Sequence, residues 1–132
     1  MPDPATPLVI DDCMSPSPYT IDHSKTMWDA HLLMREHRIR HLPVVNGSEL
    51  VGLLSMRDLH LMESLPDVDP KTVGVREAMS EGPYSVPVGT GLREVAINMH
   101  SRKYGSAVVT DGDKVVGVFT TVDAMRVLAN VL

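Results

Sequence analysis

The stretch GLLSMRD, residues 52–58, has a counterpart in GVFTTVD, residues 117–123. In each, a glycine leads two apolar residues and a hydroxyl, and an aspartate follows three positions after the hydroxyl. The two stretches lie 65 residues apart, 52 against 117, and the offset extends outward without a gap. Residues 12–61 laid over 77–126 match Met14 with Met79, Ser15 with Ser80, Pro18 with Pro83 and Tyr19 with Tyr84. They also match Met34 with Met99, Val44 with Val109, Gly47 with Gly112, Val51 with Val116, Gly52 with Gly117 and Asp58 with Asp123. Self-similarity of this length constrains the architecture before any local element is read.

Both copies run in the same order. PYTI and PYSV read as short strands after a proline, and TMWDAHLLMREH and GLREVAINMHSR then carry apolar residues at helical spacing (Met27, Ala30, Met34; Leu92, Val95, Met99). Thr26 with Asp29 forms a box-like helix start. The β-branched runs HLPVV and SAVVT lead into NGSE and DGDK, whose Asn-Gly and Asp-Gly pairs are strong hairpin signals, and LVGLLS and VVGVFT return. MRDLHLME and TVDAMRVLANVL close the copies as helices. The spacing therefore predicts a mixed α/β (α+β) fold of two β-α-β-β-α units. A unit of about 60 residues buries a poor fraction of its surface alone, so the two should pair face to face. The expected boundaries are a tail over 1–6, a first repeat over 7–64, a Pro- and Asp-rich linker over 65–71 and a second repeat over 72–132.

Composition narrows the function. With 132 residues and 43% hydrophobic content the chain can build a real core. A net charge of −5 argues against nucleic acid as a partner, because phosphate neutralisation needs clustered Lys and Arg. No apolar run approaches the roughly 18 residues of a membrane span, and MPDPATP has neither the basic start nor the apolar middle of a leader. The one cysteine, Cys13, fits a reducing, cytoplasmic setting, and it reads as a buried filler rather than a nucleophile.

The repeated hydroxyl and aspartate, Ser55 with Asp58 and Thr120 with Asp123, admit two readings. One is a capping box that satisfies N–H groups at a helix start, worth about 1 kcal/mol per helix. The other is a ligand site: helix starts attract phosphate, and an aspartate there suits the neutral hydroxyls of a ribose. Gly52 and Gly117 inside strand patterns indicate close approach by another backbone or by a ligand. His37 and His41, four apart, with His31 on the same helix, do not form a metal set, because a strand starts near His41 and breaks the helical spacing. No metal site and no catalytic constellation of nucleophile, acid and base emerges, so the chain reads as a non-enzyme needing no cofactor.

DCMSPSPYTI (12–21), HRIRHLPVVNGSELVGLLSMRDL (37–59), EAMSEGPYSV (77–86) and KYGSAVVTDGDKVVGVFTTVDAM (103–125), taken in that order, resemble a tandem pair of cystathionine-beta-synthase (CBS) domains, the Bateman module. The resemblance covers nearly the whole chain. It implies two repeats packed by their sheets about a pseudo-twofold axis, with two clefts that take adenosine-containing ligands. It implies ribose binding by Asp58 and Asp123 with Ser55 and Thr120 beside them, and backbone contacts to adenine from Thr20, Ile21, Ser85 and Val86. It also implies phosphate contacts from Arg40 and His41, whose counterparts are Gly105 and Ser106, in the cleft completed by Thr120 and Asp123. A cleft with Ser55 and Asp58 would then be the weaker one.

The resemblance further implies a homodimer through the first long helix. That helix carries more apolar surface than one inner stripe needs: Trp28 and Leu32 lie off the Met27–Ala30–Met34 face. The expected function is a regulatory sensor of AMP, ADP, ATP, S-adenosylmethionine or another adenosyl ligand. The competing expectation is a ligand-free scaffold that regulates a protein partner by contact.

Overall fold

The 65-residue offset of the sequence is reproduced in the hydrogen-bond register of the computed structural model, which describes residues 8–132. The expected tail, residues 1–6, lies outside the described residues. After a single 3-10 turn at Ile10–Asp12 come β1 (Ser15–Pro16), β2 (Ile21–Asp22), α1 (Met27–His37), β3 (His41–Asn46), β4 (Glu49–Ser55), α2 (Met56–Glu63) and α3 (Val75–Ala78). The second half supplies β5 (Ser80–Glu81), β6 (Ser85–Pro87), α4 (Leu92–Arg102), β7 (Ser106–Asp111), β8 (Lys114–Thr120) and α5 (Thr121–Val131). The result is a mixed α+β fold with two four-stranded sheets, ordered β2-β3-β4-β5 and β1-β8-β7-β6.

The hairpins close as the turn chemistry predicts. Asn46 pairs with Glu49 and Asp111 with Lys114, leaving two-residue loops that open on Gly47 (φ 64) and Gly112 (φ 61), a conformation glycine adopts without steric cost. Each hairpin carries one register shift, between Val44 and Val45 and between Val109 and Thr110. The parallel partner is also copied: Ile21 lies against Val44, and Val86 against Val109. The matching helices α1 and α4 end on a non-glycine residue in the left-handed region, Arg38 (φ 55) and Lys103 (φ 58).

The compact units are cut differently from the sequence repeats. One is contiguous, Tyr19–Pro83; the other joins residues 8–18 to 84–132. The cause is an exchange of opening segments. β1 of the first repeat pairs with β8, and β5 of the second repeat pairs with β4. The repeated methionines lock this arrangement: a Cβ on Gly52 would collide with Met79, and one on Gly117 with Met14. Such a Cβ would also come within 3.1 Å of the Ser80 carbonyl oxygen or 2.9 Å of that of Ser15. The two in-strand glycines are thus explained by close approach of a neighbouring strand.

Each unit has its own core. The contiguous unit packs Met27, Ala30 and Met34 of α1 against Leu42, Val44 and Leu54 of the hairpin, Leu59 of α2 and Val75. Full burial of such an aliphatic side chain contributes roughly 1.5–3 kcal/mol. The other unit gathers Ile10, Cys13, Val95, Met99, Ala107, Val109 and Phe119. The stretch expected as a linker also does structural work, because α1 begins with N–H groups that no turn of its own can satisfy. The Trp28 N–H donates to the Pro70 carbonyl of that stretch and the Met27 N–H to the Val73 carbonyl just beyond it, each at 2.9 Å. The Thr26–Asp29 capping box forms as expected, and the Thr26 N–H bond holds the Asp29 carboxyl below its usual range.

Candidate ligand-binding site

Ser55 ends β4 and caps α2, and register brings it opposite His41, the first residue of β3. The strand order β3-β4 fixes this, since the hairpin folds the segment RIRH back onto the end of its own return strand. The Met56 N–H donates to the Arg40 carbonyl at 2.8 Å, which ties the entry of β3 to the first turn of α2. Arg40, His41 and Ser55 therefore share one neighbourhood inside the contiguous unit. They line an open groove of about 1000 Å³ between α1, β3 and α2, within the size range of small-ligand sites.

Four further side chains of this groove escaped the sequence reading as ligand contacts: Arg35 from α1, next to His31 one turn earlier, and Arg57 and His60 from α2. Among the described residues, no carboxylate is itself part of the wall. His31 of the wall pairs with the Glu63 carboxylate, and the His31 and His60 rings lie 6.4 Å apart. Among the described residues, Arg35, Arg40 and Arg57 have no ion-pair partner. A signal was available: at the 65-residue offset His31, Arg35, Arg40, His41, Arg57 and His60 face Ala96, His100, Gly105, Ser106, Val122 and Met125. The cationic set belongs to one repeat only.

The two aspartates of the repeated motif have different surroundings. Each forms a capping box. Asp58 Oδ2 accepts the Ser55 N–H at 2.8 Å while the Asp58 N–H donates to Ser55 Oγ at 3.0 Å. Asp123 Oδ2 accepts the Thr120 N–H at 2.9 Å. Asp123 is 3% exposed and engaged on its other oxygen as well. Its Oδ1 accepts the Ser15 hydroxyl at 2.9 Å and lies 3.2 Å from the Arg126 guanidinium. Asp58 is half-buried, Leu61 stands where Arg126 does, and among the described residues Ser80 makes no bond matching that of Ser15. Asp58 itself lies just outside the groove wall.

The adenine-side expectations fall elsewhere. Thr20 and Ile21 line a separate, smaller groove of about 320 Å³ together with Lys25 and Asp29, and Ile21 is mostly turned into the core. Ser85 and Val86 form β6 in the other unit, where Val86 is buried.

His37 ends α1 and stacks on Tyr19 at 3.7 Å, whereas His31 pairs with Glu63, so these two of the three histidines weighed as a metal set have different partners. Cys13 is buried, and burial first, then the neighbouring Asp12 charge, pushes its thiol pKa up, which disfavours the nucleophilic thiolate. Trp28 (41% exposed) and Leu32 (45%) stay on the surface, with Lys71 over the indole ring. No helix among the described residues is long and apolar enough to cross a membrane.

Known proteins share this fold. The chain is 27% identical over 116 residues to the inosine-5'-monophosphate dehydrogenase of Staphylococcus haemolyticus; the match takes in 85% of the chain but 22% of that enzyme. A putative acetoin utilization protein, AcuB, from Vibrio cholerae superposes with a TM-score of 0.74 at 31% identity, covering 96% of this chain and 93% of that one. CBSX2, solved in complex with AMP, superposes with a TM-score of 0.74 at 25% identity, covering 93% and 97%. The CBS domain family model matches twice, over residues 10–61 and 75–130, in step with the internal repeat. The chain belongs to the CBS domain family, as a tandem pair of its repeats.

Proposed function

We propose that this CBS pair is a regulatory module that binds an adenosine-containing ligand of the AMP, ADP, ATP or S-adenosylmethionine class and signals its occupancy by a change in packing or assembly. The observation that carries the reading is the groove in which Arg40 and His41 meet Ser55 at the head of α2. A permanent guanidinium with a planar donor fork beside a helix start suits a phosphate. The AMP held by CBSX2 supports the ligand class. Asp58 is the better candidate than Asp123 for ribose, because the Asp123 oxygens already serve Thr120, Ser15 and Arg126. A ligand signals only if it binds two arrangements unequally. The module carries no chemistry of its own in this reading, works in the cytoplasm and is a homodimer through the face that holds Trp28 and Leu32.

A melting screen with adenosine, AMP, ADP, ATP and S-adenosylmethionine tests the proposal. A ligand at 100 times its Kd stabilises the fold by about 2.7 kcal/mol, a rise of several degrees. No shift with any of the five at millimolar concentration would instead support the second reading, a ligand-free scaffold that regulates a partner by contact. The exposed apolar side chains of α5, Val122 (76%) and Met125 (61%), favour that alternative.

A further inference from the structure

The groove is more cationic than a monophosphate requires. Arg35, Arg40 and Arg57 approach it from α1, the β3 entry and α2, and among the described residues none has an ion-pair partner. His41 and His60 add two further nitrogen-bearing rings, His31 is taken up by its pair with Glu63, and among the described residues no carboxylate is itself part of the wall. The chain carries a net charge of −5, so this concentration of positive charge runs against the protein's overall field. The corresponding positions of the other repeat hold Val122 where Arg57 stands, Gly105 for Arg40 and His100 for Arg35.

We infer that the groove of the contiguous unit is an oligophosphate site, and that Arg35 and Arg57 select ligands with two or more phosphate groups over monophosphates. The inference deepens the proposed adenosyl reading and rests on it for the nucleoside part of the ligand. One phosphate can accept a bidentate bond from one guanidinium, and each added phosphate brings another anionic group for the next. Three arginines, from α1, the β3 entry and α2, offer more guanidinium groups than a single phosphate uses. Within the adenosyl class the same field disfavours S-adenosylmethionine, whose sulfonium is cationic, and favours a nucleoside di- or triphosphate. Because the groove is open, the arginines act partly screened, and affinity should fall as salt rises.

Calorimetry on the full chain with adenosine, AMP, ADP, ATP and inorganic tripolyphosphate provides the test. The expected order of tightening is adenosine, AMP, ADP, ATP, with about a tenfold gain from AMP to ATP. Both arginines are exposed, so Arg35→Ala with Arg57→Ala should fold normally and flatten that gain to about twofold or less, while adenosine affinity stays unchanged. Arg57→Lys should recover part of the gain, and Arg93→Ala, on α4 outside the groove, should leave it intact. Equal affinity for AMP and ATP, or a gain that survives the double variant, would overturn the inference while leaving adenosyl binding standing. Tripolyphosphate binding that the double variant abolishes, in a chain that ignores adenosine and AMP, would uphold the oligophosphate site and overturn the adenosyl reading. Tighter binding of a single-stranded oligonucleotide than of ATP would overturn selection for a free oligophosphate ligand.

Discussion

At the head of α2 the aspartate of the repeated motif is half-buried and caps one helix, while at the head of α5 its counterpart is sealed and also holds a serine from β1 and an arginine of its own helix. Sequence assigns the two the same role, because the hydroxyl-x-x-aspartate spacing is identical. Their difference comes from positions outside the motif. Arg126 stands in one repeat where Leu61 stands in the other, and Ser15 reaches Asp123 across 108 residues of chain. The lesson is that a motif reports local capping faithfully but leaves availability to a ligand undecided. A carboxylate whose lone pairs already serve three donors has little left to offer a ribose. The same contrast extends to the wall: one repeat surrounds its helix start with arginines, the other with Val122 and Met125.

The largest expected effect breaks that comparison directly. Asp123→Ala removes a cap, takes the acceptor from Ser15 and breaks the ion pair of Arg126, which keeps only its bond to the Cys13 carbonyl, a loss of about 3 kcal/mol, whereas Asp58→Ala should cost about 1 kcal/mol, the cap alone. Urea denaturation of the two variants decides it; equal losses would mean that the extra partners of Asp123 contribute nothing.

Next in size is the pair of in-strand glycines, where the repeats should behave alike. Gly52→Ala and Gly117→Ala each force a methyl group against a methionine and a strand carbonyl, and each should destabilise by about 1–3 kcal/mol. The rescue is crosswise: Met79→Ala should relieve Gly52→Ala, and Met14→Ala should relieve Gly117→Ala, with no relief from the opposite pairing. Relief within a single sequence repeat, Met14 for Gly52, would contradict the exchanged arrangement.

A smaller, concentration-dependent effect concerns assembly. If Trp28 and Leu32 form an interface of the order of 800 Å² per partner, Trp28→Glu with Leu32→Glu should give monomers by light scattering, while Arg93→Glu with Ile97→Glu at the matching positions of α4 should not. A wild-type chain that is already monomeric at working concentration would refute the interface. The smallest effect is shared by both repeats: Arg38→Gly and Lys103→Gly relieve a left-handed side chain and should each stabilise by about 1 kcal/mol, read as a higher melting temperature. A loss of stability in either would show that the side chain contributes more than the strain it bears.

Much of this molecule is written locally. Thr26, Ser55 and Thr120 announce their helices because capping is a four-residue affair, and Asn46-Gly47 and Asp111-Gly112 announce hairpins for the same reason. The 65-residue register predicts the duplicated ladder. What sequence does not disclose depends on which distant segments meet. The purpose of Gly52 is ambiguous until Met79 is placed against it. Arg35 and Arg57 look like ordinary solvated charges on two separate helices until packing of α1 and α2 turns both toward one groove. The ungapped alignment even misleads in one respect, since it counts Met14 with the repeat it precedes rather than with the unit whose Gly117 it covers.

That exchange sets a schedule for synthesis. Residues 19–83 form one unit from an unbroken stretch of chain, so everything this unit needs, β5 included, has left the ribosome while the second half is still being made. Domains fold as units during translation, and closing short loops costs less entropy than closing long ones. Residues 8–18 have no such partner at hand: β1 must wait for β8, translated about a hundred residues later. The first segment made is therefore among the last to find its place. A nascent chain stalled once Pro83 has cleared the exit tunnel should already resist protease across 19–83 and remain cleavable between Leu8 and Pro18, whereas protection that arrives in both units together, only at full length, would contradict this order.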